Sequence, residues 1–221
     1  MKTIDLHIHT TASDGSFTPR ELVDYAIEKQ LSAIAMTDHD TMRGVQEAID
    51  YIATLHSNLE LIPGIEVSSF APGSYFGFHI LGYFFENNTD ERTKIIRNLE
   101  IDLSRGTGSP EEAIKIISNY GGLSSLAHPL EYCLSTDELS RQVEELASVG
   151  LNGIEGIYTT HSNHDVSQFN KIASQYGLIV TGGSDFHGKR KPGVDLGTGF
   201  GDLQIPYNII DSLKASSAVH H

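Results

Sequence analysis

The stretch that decides the fold is Thr3–Lys29, TIDLHIHTTASDGSFTPRELVDYAIEK. Its first part, Thr3 to Ile8, is short and mostly extended in character, which predicts a β-strand. Thr18-Pro19-Arg20-Glu21 then combines a capping threonine, a proline suited to the first helical turn and the glutamate of a capping box, so a helix is predicted to about Lys29. One buried stripe on this helix is formed by Leu22, Val23, Ala26 and Ile27.

The same strand-and-helix pattern recurs along the chain. Further strands are predicted at Ala33–Met36, Leu59–Val67, Phe78–Tyr83, Gly122–Ala127, Gly153–Tyr158 and Leu178–Thr181. Helices are predicted at Val45–Leu55, within 87–108, at Ala113–Ile117, at Asp137–Ser148 and at Val166–Tyr176. Such alternation is typical of parallel strands joined by crossover helices, and about seven strands are enough for a barrel. We therefore predict one α/β barrel domain over 1–218, with 219–221 as a tail that we attribute to purification and exclude from the site.

Composition limits the function classes. The 221-residue chain has a formal net charge of −14, which disfavours a broad basic footprint for nucleic acid. Cys133 is the only cysteine, so neither an intrachain disulfide nor a thiolate zinc site can form. The first residues lack the apolar run of a signal peptide, and no run of 18 apolar residues occurs. We expect a cytoplasmic protein with no membrane contact and no obligate protein partner.

Polar residues collect where the predicted strands end. Six of the eleven histidines lie there: His7, His9, His39, His79, His128 and His187. Acids accompany them: Asp5, Asp14, Asp38, Asp40, Glu66 and Asp185. The C-terminal face of a parallel barrel carries its active site, and carboxylates crowded there repel one another unless a cation is bound. The pattern predicts a metal-dependent hydrolase.

Ordered motifs connect these residues to a known family. They are DLHIHT (5–10), Ser13-Asp14-Gly15, TDHDT (37–41), GIEVS (64–68), HILGY (79–83), AHP (127–129) and GSDFHG (183–188). With these motifs, which extend over almost the whole chain, the sequence resembles the PHP (polymerase and histidinol phosphatase) domain family. The resemblance implies a distorted (β/α)7 TIM-like barrel.

The resemblance also implies two to three divalent metal ions. One position would use His7, His9, Glu66 and Asp185. A second would share Glu66 as a bridging carboxylate and add His79 and His128. The third would use Asp14, His39 and His187. This nitrogen and oxygen donor set suits Zn, Mn or Fe without choosing among them. The catalytic roles would fall to Glu66 as the bridge and to Asp185 or His187 as a proton relay.

Within the family, the chain is most similar to the small TrpH/YciV-like phosphoesterases, which act on nucleoside 3′,5′-bisphosphates and short RNA. It lacks their helical insertion between Arg105 and Ser109, where a Gly-rich turn stands instead. We therefore expect an open barrel mouth, unless another segment such as 70–76 covers it.

The predicted reaction is hydrolysis of a nucleotide or short oligonucleotide phosphate ester by a metal-activated water. Candidate substrate-binding residues are His161, Arg20, Arg43, Arg97, Lys189 and Arg190, with Lys191 and Arg105 as further cations. Two alternatives remain open. One is a histidinol-phosphate phosphatase, which shares the metal site, and the other is a non-catalytic PHP module that binds a partner.

Overall fold

Seven strands form one sheet whose neighbours follow chain order. The computed structural model describes residues 2–70, 77–86, 88–103, 108–132 and 134–218. Within them the strands are β1 (Ile4–Asp5), β2 (Ala33–Met36), β3 (Glu60–Phe70), β4 (Gly77–Tyr83), β5 (Leu123–Leu126), β6 (Gly153–Tyr158) and β7 (Ile179–Gly183). The predicted strands are present, with shifted ends.

Helices connect most of these strands. They are α1 (Pro19–Glu28), α2 (Arg43–Leu55), α3 (Thr89–Leu103), α4 (Pro110–Asn119), α5 (Thr136–Ser148), α6 (Asn163–Tyr176) and α7 (Asn208–Ser217). The predicted capping box is formed, since Thr18 Oγ1 accepts from the Glu21 amide and Glu21 accepts from the Thr18 amide. The sequence analysis missed α7, whose first turn has no side-chain cap.

The first and last strands meet and nearly close the barrel. The Leu6 amide donates to Gly182 at 3.2 Å, and the Asp185 amide donates to His7 at 2.9 Å. On the other side the Thr37 amide donates to Ile8 at 2.9 Å. The segment after β1 is therefore held between the strand ends of β2 and β7, although only Ile4–Asp5 has regular strand geometry.

One strand runs against the predicted direction. β4 is antiparallel to both β3 and β5, whereas the sequence analysis expected parallel strands throughout. Only six residues separate Phe70 from Gly77, and a crossover between parallel strands needs a dozen or more. His79 consequently lies near the start of its strand instead of its end, yet at the same rim as the other histidines.

Apolar residues form two clusters. The larger one contains buried residues of α1 to α6 and the strand side chains that face them. The smaller one joins Ile209, Ile210 and Leu213 of α7 to strand residues such as Ile4 and Ala33. These strand residues lie at the beginning of parallel strands, so α7 packs at the end of the barrel opposite the histidines. No described helix is long and apolar enough to cross a membrane.

Candidate metal centre

Glu66 stands at the centre of the histidine cluster. It lies on β3, beside the strand end of β2, where the Glu66 amide donates to Asp38 at 3.2 Å. Its carboxylate is 1% exposed. One oxygen, Oε2, lies 3.2 Å from His7 Nε2, 3.0 Å from His9 Nε2 and 3.2 Å from His39 Nδ1. The other, Oε1, lies 3.0 Å from both His79 Nδ1 and His128 Nε2. The two oxygens therefore face two different groups of imidazoles.

Asp185 lies on the side of the cluster next to β7. Its Oδ1 is 3.5 Å from His7 Nε2 and 3.3 Å from His9 Nε2. Together with Glu66, these residues form the group that the resemblance implies for the first metal. The backbone of Asp185 has a φ of 57°, in the left-handed region that side-chain-bearing residues rarely adopt. Such a conformation persists where the surrounding structure fixes it, as at functional sites.

Asp14 brings a third group together at the mouth of the barrel. Its carboxylate is 3.3 Å from His187 Nε2, 3.6 Å from His9 Nδ1 and 3.9 Å from His39 Nε2. The side chain of Asp14 is 57% exposed, so this group is open to solvent. Donor atoms of His9, Asp14, His39 and His187 all lie within 4.8 Å of one another. The structure thus brings all nine predicted ligands together, with His9 close to two of the groups.

The geometry fits metal ions better than direct hydrogen bonds between the ligands. Five ring nitrogens of the candidate ligands are buried and make no well-directed hydrogen bond among the described residues: Nε2 of His7, both nitrogens of His9, Nδ1 of His39 and Nδ1 of His128. Two ligands that each lie about 2.1 Å from one ion are roughly 3.0 to 3.4 Å apart, a spacing close to most of those found here. Other combinations of donors that fit an ion are His7, His9 and Glu66, and His39, Glu66 and His79.

Opposite charges are strongly coupled in this cluster. Burial raises the pKa of Glu66, but the charge of His7 and contacts with His128 outweigh it and hold this pKa well below its usual value. Burial lowers the pKa of His9, but contacts with Asp185 and Glu66 raise it to about 9. The carboxylates therefore favour positive charge on His9, and a metal ion would supply that charge in place of the proton.

Two buried residues that are not candidate ligands, Glu155 and Tyr158, contact the candidate ligands and were not identified by the sequence analysis. We call them the outer partners of the cluster. Glu155 of β6 is fully buried, accepts from His7 Nδ1 at 3.0 Å and accepts from the His128 amide at 2.7 Å. Tyr158, three residues further along the same strand, places its hydroxyl 2.7 Å from Glu131 and 2.9 Å from Asp185. The only signal for Glu155 in the sequence was an acid within the predicted strand Gly153–Tyr158. The pattern GIEGIY does not indicate which side chains of the strand point into the barrel.

Three acids that accompany the histidines in sequence serve the backbone instead. Asp38 accepts from the Thr10 amide at 2.7 Å and from Ser13 Oγ at 2.6 Å, which fixes the turn that carries Asp14. Asp5 accepts from the amides of Ser184 and Gly197, and Asp40 accepts from the Ser68 amide. These carboxylates hold the loops on which the candidate ligands are mounted.

The candidate substrate-binding residues are scattered. Arg20 pairs with Glu47 at 3.0 Å, and Arg43 Nε donates to Thr41 at 3.1 Å. His161 donates from Nδ1 to the Gly156 carbonyl at 3.1 Å and lies against the Tyr158 ring. The remaining three side chains are exposed: Arg97, Lys189 and Arg190. Of these six residues only His161 adjoins an outer partner of the cluster, whereas the further cation Lys191 contacts both Tyr158 and Asp185. Arg105 lies outside the described residues.

A family model described as the PHP domain matches residues 5–130, which include seven of the nine candidate ligands. The chain belongs to the PHP domain family. The 5′-3′ exoribonuclease Rnm of Escherichia coli K12 is 29% identical to this PHP chain, and the match covers 87% of each protein. A 3′,5′-nucleoside bisphosphate phosphatase of Chromobacterium violaceum is 25% identical, covering 89% of this chain and 91% of its own. The predicted family and the predicted class of phosphoester hydrolase are confirmed.

Solved structures support the PHP barrel. A putative metal-dependent phosphoesterase of Bifidobacterium adolescentis superimposes with a TM-score of 0.74 at 21% identity, covering 97% of this chain and 96% of its own. A Chromobacterium violaceum protein described as an amidohydrolase with bound SO4 and no metal gives a TM-score of 0.75 at 24% identity, covering 96% of each chain. At these identities the likeness shows the fold, and the predicted barrel class is confirmed.

Proposed function

We propose that this chain hydrolyses phosphate esters of nucleotides or short oligonucleotides at the histidine and carboxylate cluster around Glu66. The observation that carries the proposal is the convergence of nine nitrogen and oxygen donors, several of them buried and without a directed partner. Zn, Mn or Fe would suit this donor set. Two to three ions would be held by His7, His9, Glu66 and Asp185, by Glu66, His79 and His128, and by Asp14, His39 and His187.

Bound divalent ions would supply Lewis acidity and lower the pKa of water at this site. The chain's own residues have separate tasks. Glu66 presents one oxygen to each of two ligand groups and so sets their spacing. Glu155 orients the His7 ring through Nδ1. His187 donates from Nδ1 to the Asp185 carbonyl at 3.0 Å, which leaves its Nε2 towards the mouth, where a proton relay would act.

Nucleotide substrates are favoured by the relatives. The exoribonuclease and the bisphosphate phosphatase both act on nucleotides by name, and both align over most of their length. Histidinol phosphate stays an alternative substrate. A non-catalytic binding module is disfavoured, because all nine candidate ligand positions hold a residue that can bind a metal. We further propose one domain over 1–218 and a cytoplasmic location.

The test combines metal analysis with a substrate screen on one sample. Elemental analysis should find Zn, Mn or Fe, and the same preparation should hydrolyse a generic phosphate ester. A Glu66→Gln variant purified identically controls for contaminating phosphatases. Absence of turnover on every phosphate ester in a metal-loaded sample would refute the proposal. Comparing a nucleoside bisphosphate with histidinol phosphate separates the two substrate classes.

Substrate size is a second question for this site. The Gly-rich turn that stands in place of the insertion and the alternative lid at 70–76 both fall largely outside the described residues, since 104–107 and 71–76 are not among them. If the mouth is open, small nucleotides make few contacts away from the phosphorus and bind weakly, whereas short oligonucleotide ends are accepted. The measurement compares kcat/KM for a nucleoside bisphosphate with that for an RNA of a few nucleotides. A strong preference for the small substrate, with the RNA untouched, would indicate a covered site.

A further inference from the structure

Lys191 lies at the edge of the metal-ligand cluster. Its Nζ donates to Asp185 Oδ2 and, at 2.9 Å, to the Tyr158 hydroxyl. The other lysine and arginine ion pairs of the described chain join Arg20 to Glu47, Lys29 to Asp195, Lys94 to Glu91 and Lys214 to Glu60. None of these pairs includes a candidate metal ligand. Among the lysine and arginine ion pairs of the described chain, the pair that includes a candidate ligand is therefore that of Lys191 with Asp185.

The two oxygens of Asp185 face opposite sides. Oδ1 points to the imidazoles, at 3.5 Å from His7 and 3.3 Å from both His9 and His187. Oδ2 points to Lys191 and Tyr158. The carboxylate of Asp185 therefore lies between the candidate metal site and the ammonium group of Lys191. An anion bound beside Asp185 would be attracted by both of these positive groups.

The ammonium group of Lys191 has donor capacity to spare. A lysine carries three N–H donors, and Asp185 and Tyr158 occupy two of them. The side chain of Lys191 is 32% exposed, whereas Tyr158 behind it is buried, so the free donor is accessible from solvent. Its neighbours Lys189 and Arg190 direct their charge into solvent. Lysine commonly binds phosphate as a point charge.

We propose that Lys191, held by Asp185 and the Tyr158 hydroxyl, forms a phosphate subsite beside the metal centre and binds an oxygen of the substrate's phosphate group. This inference rests on the proposed function and adds a binding residue to it. The competing explanation is that Lys191 only neutralises Asp185 and so tunes metal affinity. The two explanations differ in whether phosphate affinity changes at constant metal content.

The experiment uses the metal-loaded full chain and inorganic phosphate as the probe. Binding of phosphate is measured by isothermal titration calorimetry, metal content by elemental analysis, and KM and kcat with a phosphate ester. For Lys191→Met we expect unchanged metal content and a phosphate Kd raised about tenfold or more, because a charged hydrogen bond is lost. Lys191→Arg should stay within a few fold of the wild type. Lys171→Met, which removes the same charge at an exposed position of α6, should leave the phosphate Kd unchanged.

Other results would overturn the subsite. Wild-type phosphate affinity in Lys191→Met excludes it, whatever happens to turnover. Lys191→Met could instead lose both metal and phosphate affinity, with phosphate binding restored by excess metal. That result would show that Lys191 only neutralises Asp185 and would exclude the subsite. An equal loss of phosphate affinity in Lys171→Met would show that the effect of Lys191→Met comes from the change in overall charge and would exclude the subsite. A wild-type protein that binds phosphate through Lys191 but hydrolyses no phosphate ester would refute the proposed function and leave the subsite standing.

Discussion

His7 donates from Nδ1 to Glu155 Oε1 across 3.0 Å, and both side chains are fully buried. The pairing leaves Nε2 of His7 facing Glu66 and Asp185. Outer partners of this kind fix the orientation of a metal-binding imidazole and increase its basicity. Glu155 also accepts from the His128 amide, so one carboxylate supports two candidate ligands.

Replacing Glu155 by Gln should weaken metal binding without unfolding the protein. The amide keeps the shape of the side chain but removes the negative charge that favours the ring orientation, and such changes cost about 10- to 100-fold in metal affinity. Competition with a fluorescent chelator measures the effect. Glu144→Gln, an exposed change on α5, is the control. Unchanged metal affinity in Glu155→Gln would show that His7 needs no outer partner.

Glu66→Gln should lower kcat more than the substitution of a candidate ligand that belongs to only one of the metal-binding groups. A glutamine has only one oxygen, so it cannot present an acceptor to both His9 and His128. We expect His79→Gln to cost roughly 10- to 100-fold and Glu66→Gln to cost more, with fewer metal ions per chain by elemental analysis. Near wild-type turnover with full metal content in Glu66→Gln would contradict the bridging role.

Removal of metal should abolish activity reversibly. Every catalytic task proposed here depends on a divalent cation, so dialysis against a chelator should stop hydrolysis, and Mn, Fe or Zn should restore it. Steady-state turnover before and after reconstitution is the measurement, with Mg as a comparison ion. A metal-free protein that retains full activity would rule out this mechanism.

Gly183→Ala should disturb both folding and metal binding. A Cβ at this position would lie 2.1 Å from the Cβ of His7 and 2.6 Å from its backbone nitrogen, so β7 would have to move away from the segment that carries the ligand. Overpacking of this kind costs roughly 1 to 3 kcal/mol. Urea unfolding measures the change. Gly177→Ala is the control, because its Cβ meets nothing within 4 Å and only the left-handed backbone is penalised, by about 1 kcal/mol.

Asp195 should contribute stability at neutral pH and lose it in acid. Burial raises the pKa of Asp195, but hydrogen bonds from Lys29 and Tyr25 outweigh this and lower it below 3.8. A carboxylate with a lowered pKa stabilises the fold above its ordinary pKa, and that stabilisation is lost as the pH falls through the folded-state value. Because the pair is partly exposed, Asp195→Asn should cost about 1 kcal/mol or less at pH 7.

The pH dependence is measured by urea unfolding of wild type and Asp195→Asn between pH 7 and pH 3. The difference between the two proteins should shrink as the pH falls below 3.8. Asp202→Asn, an exposed change nearby in sequence, serves as the control. A difference that stays constant with pH would show that the ionised carboxylate of Asp195 has no part in stability.

Local sequence determined most elements of this fold. The capping signal at Thr18 starts helix α1 where it was predicted, because a cap depends on residues three positions apart. The alternating positions of His7 and His9 place two imidazoles on the same side of the segment after β1, where both approach Glu66. The ordered motifs assigned the family. These features need no knowledge of distant contacts.

Tertiary structure decided what each polar residue does. Asp5, Asp38 and Glu155 are all acids on or beside strands, yet they bond to Ser184, to Thr10 and to His7 respectively, partners that are 28 to 179 residues away. The direction of β4, and with it the position of His79, followed from a connection too short for a crossover. Which cation reaches the cluster was decided in the same way, because the loop after β7 turns Lys191 towards Asp185 while Lys189 stays in solvent. Sequence specifies the donors, but barrel closure determines which donors meet.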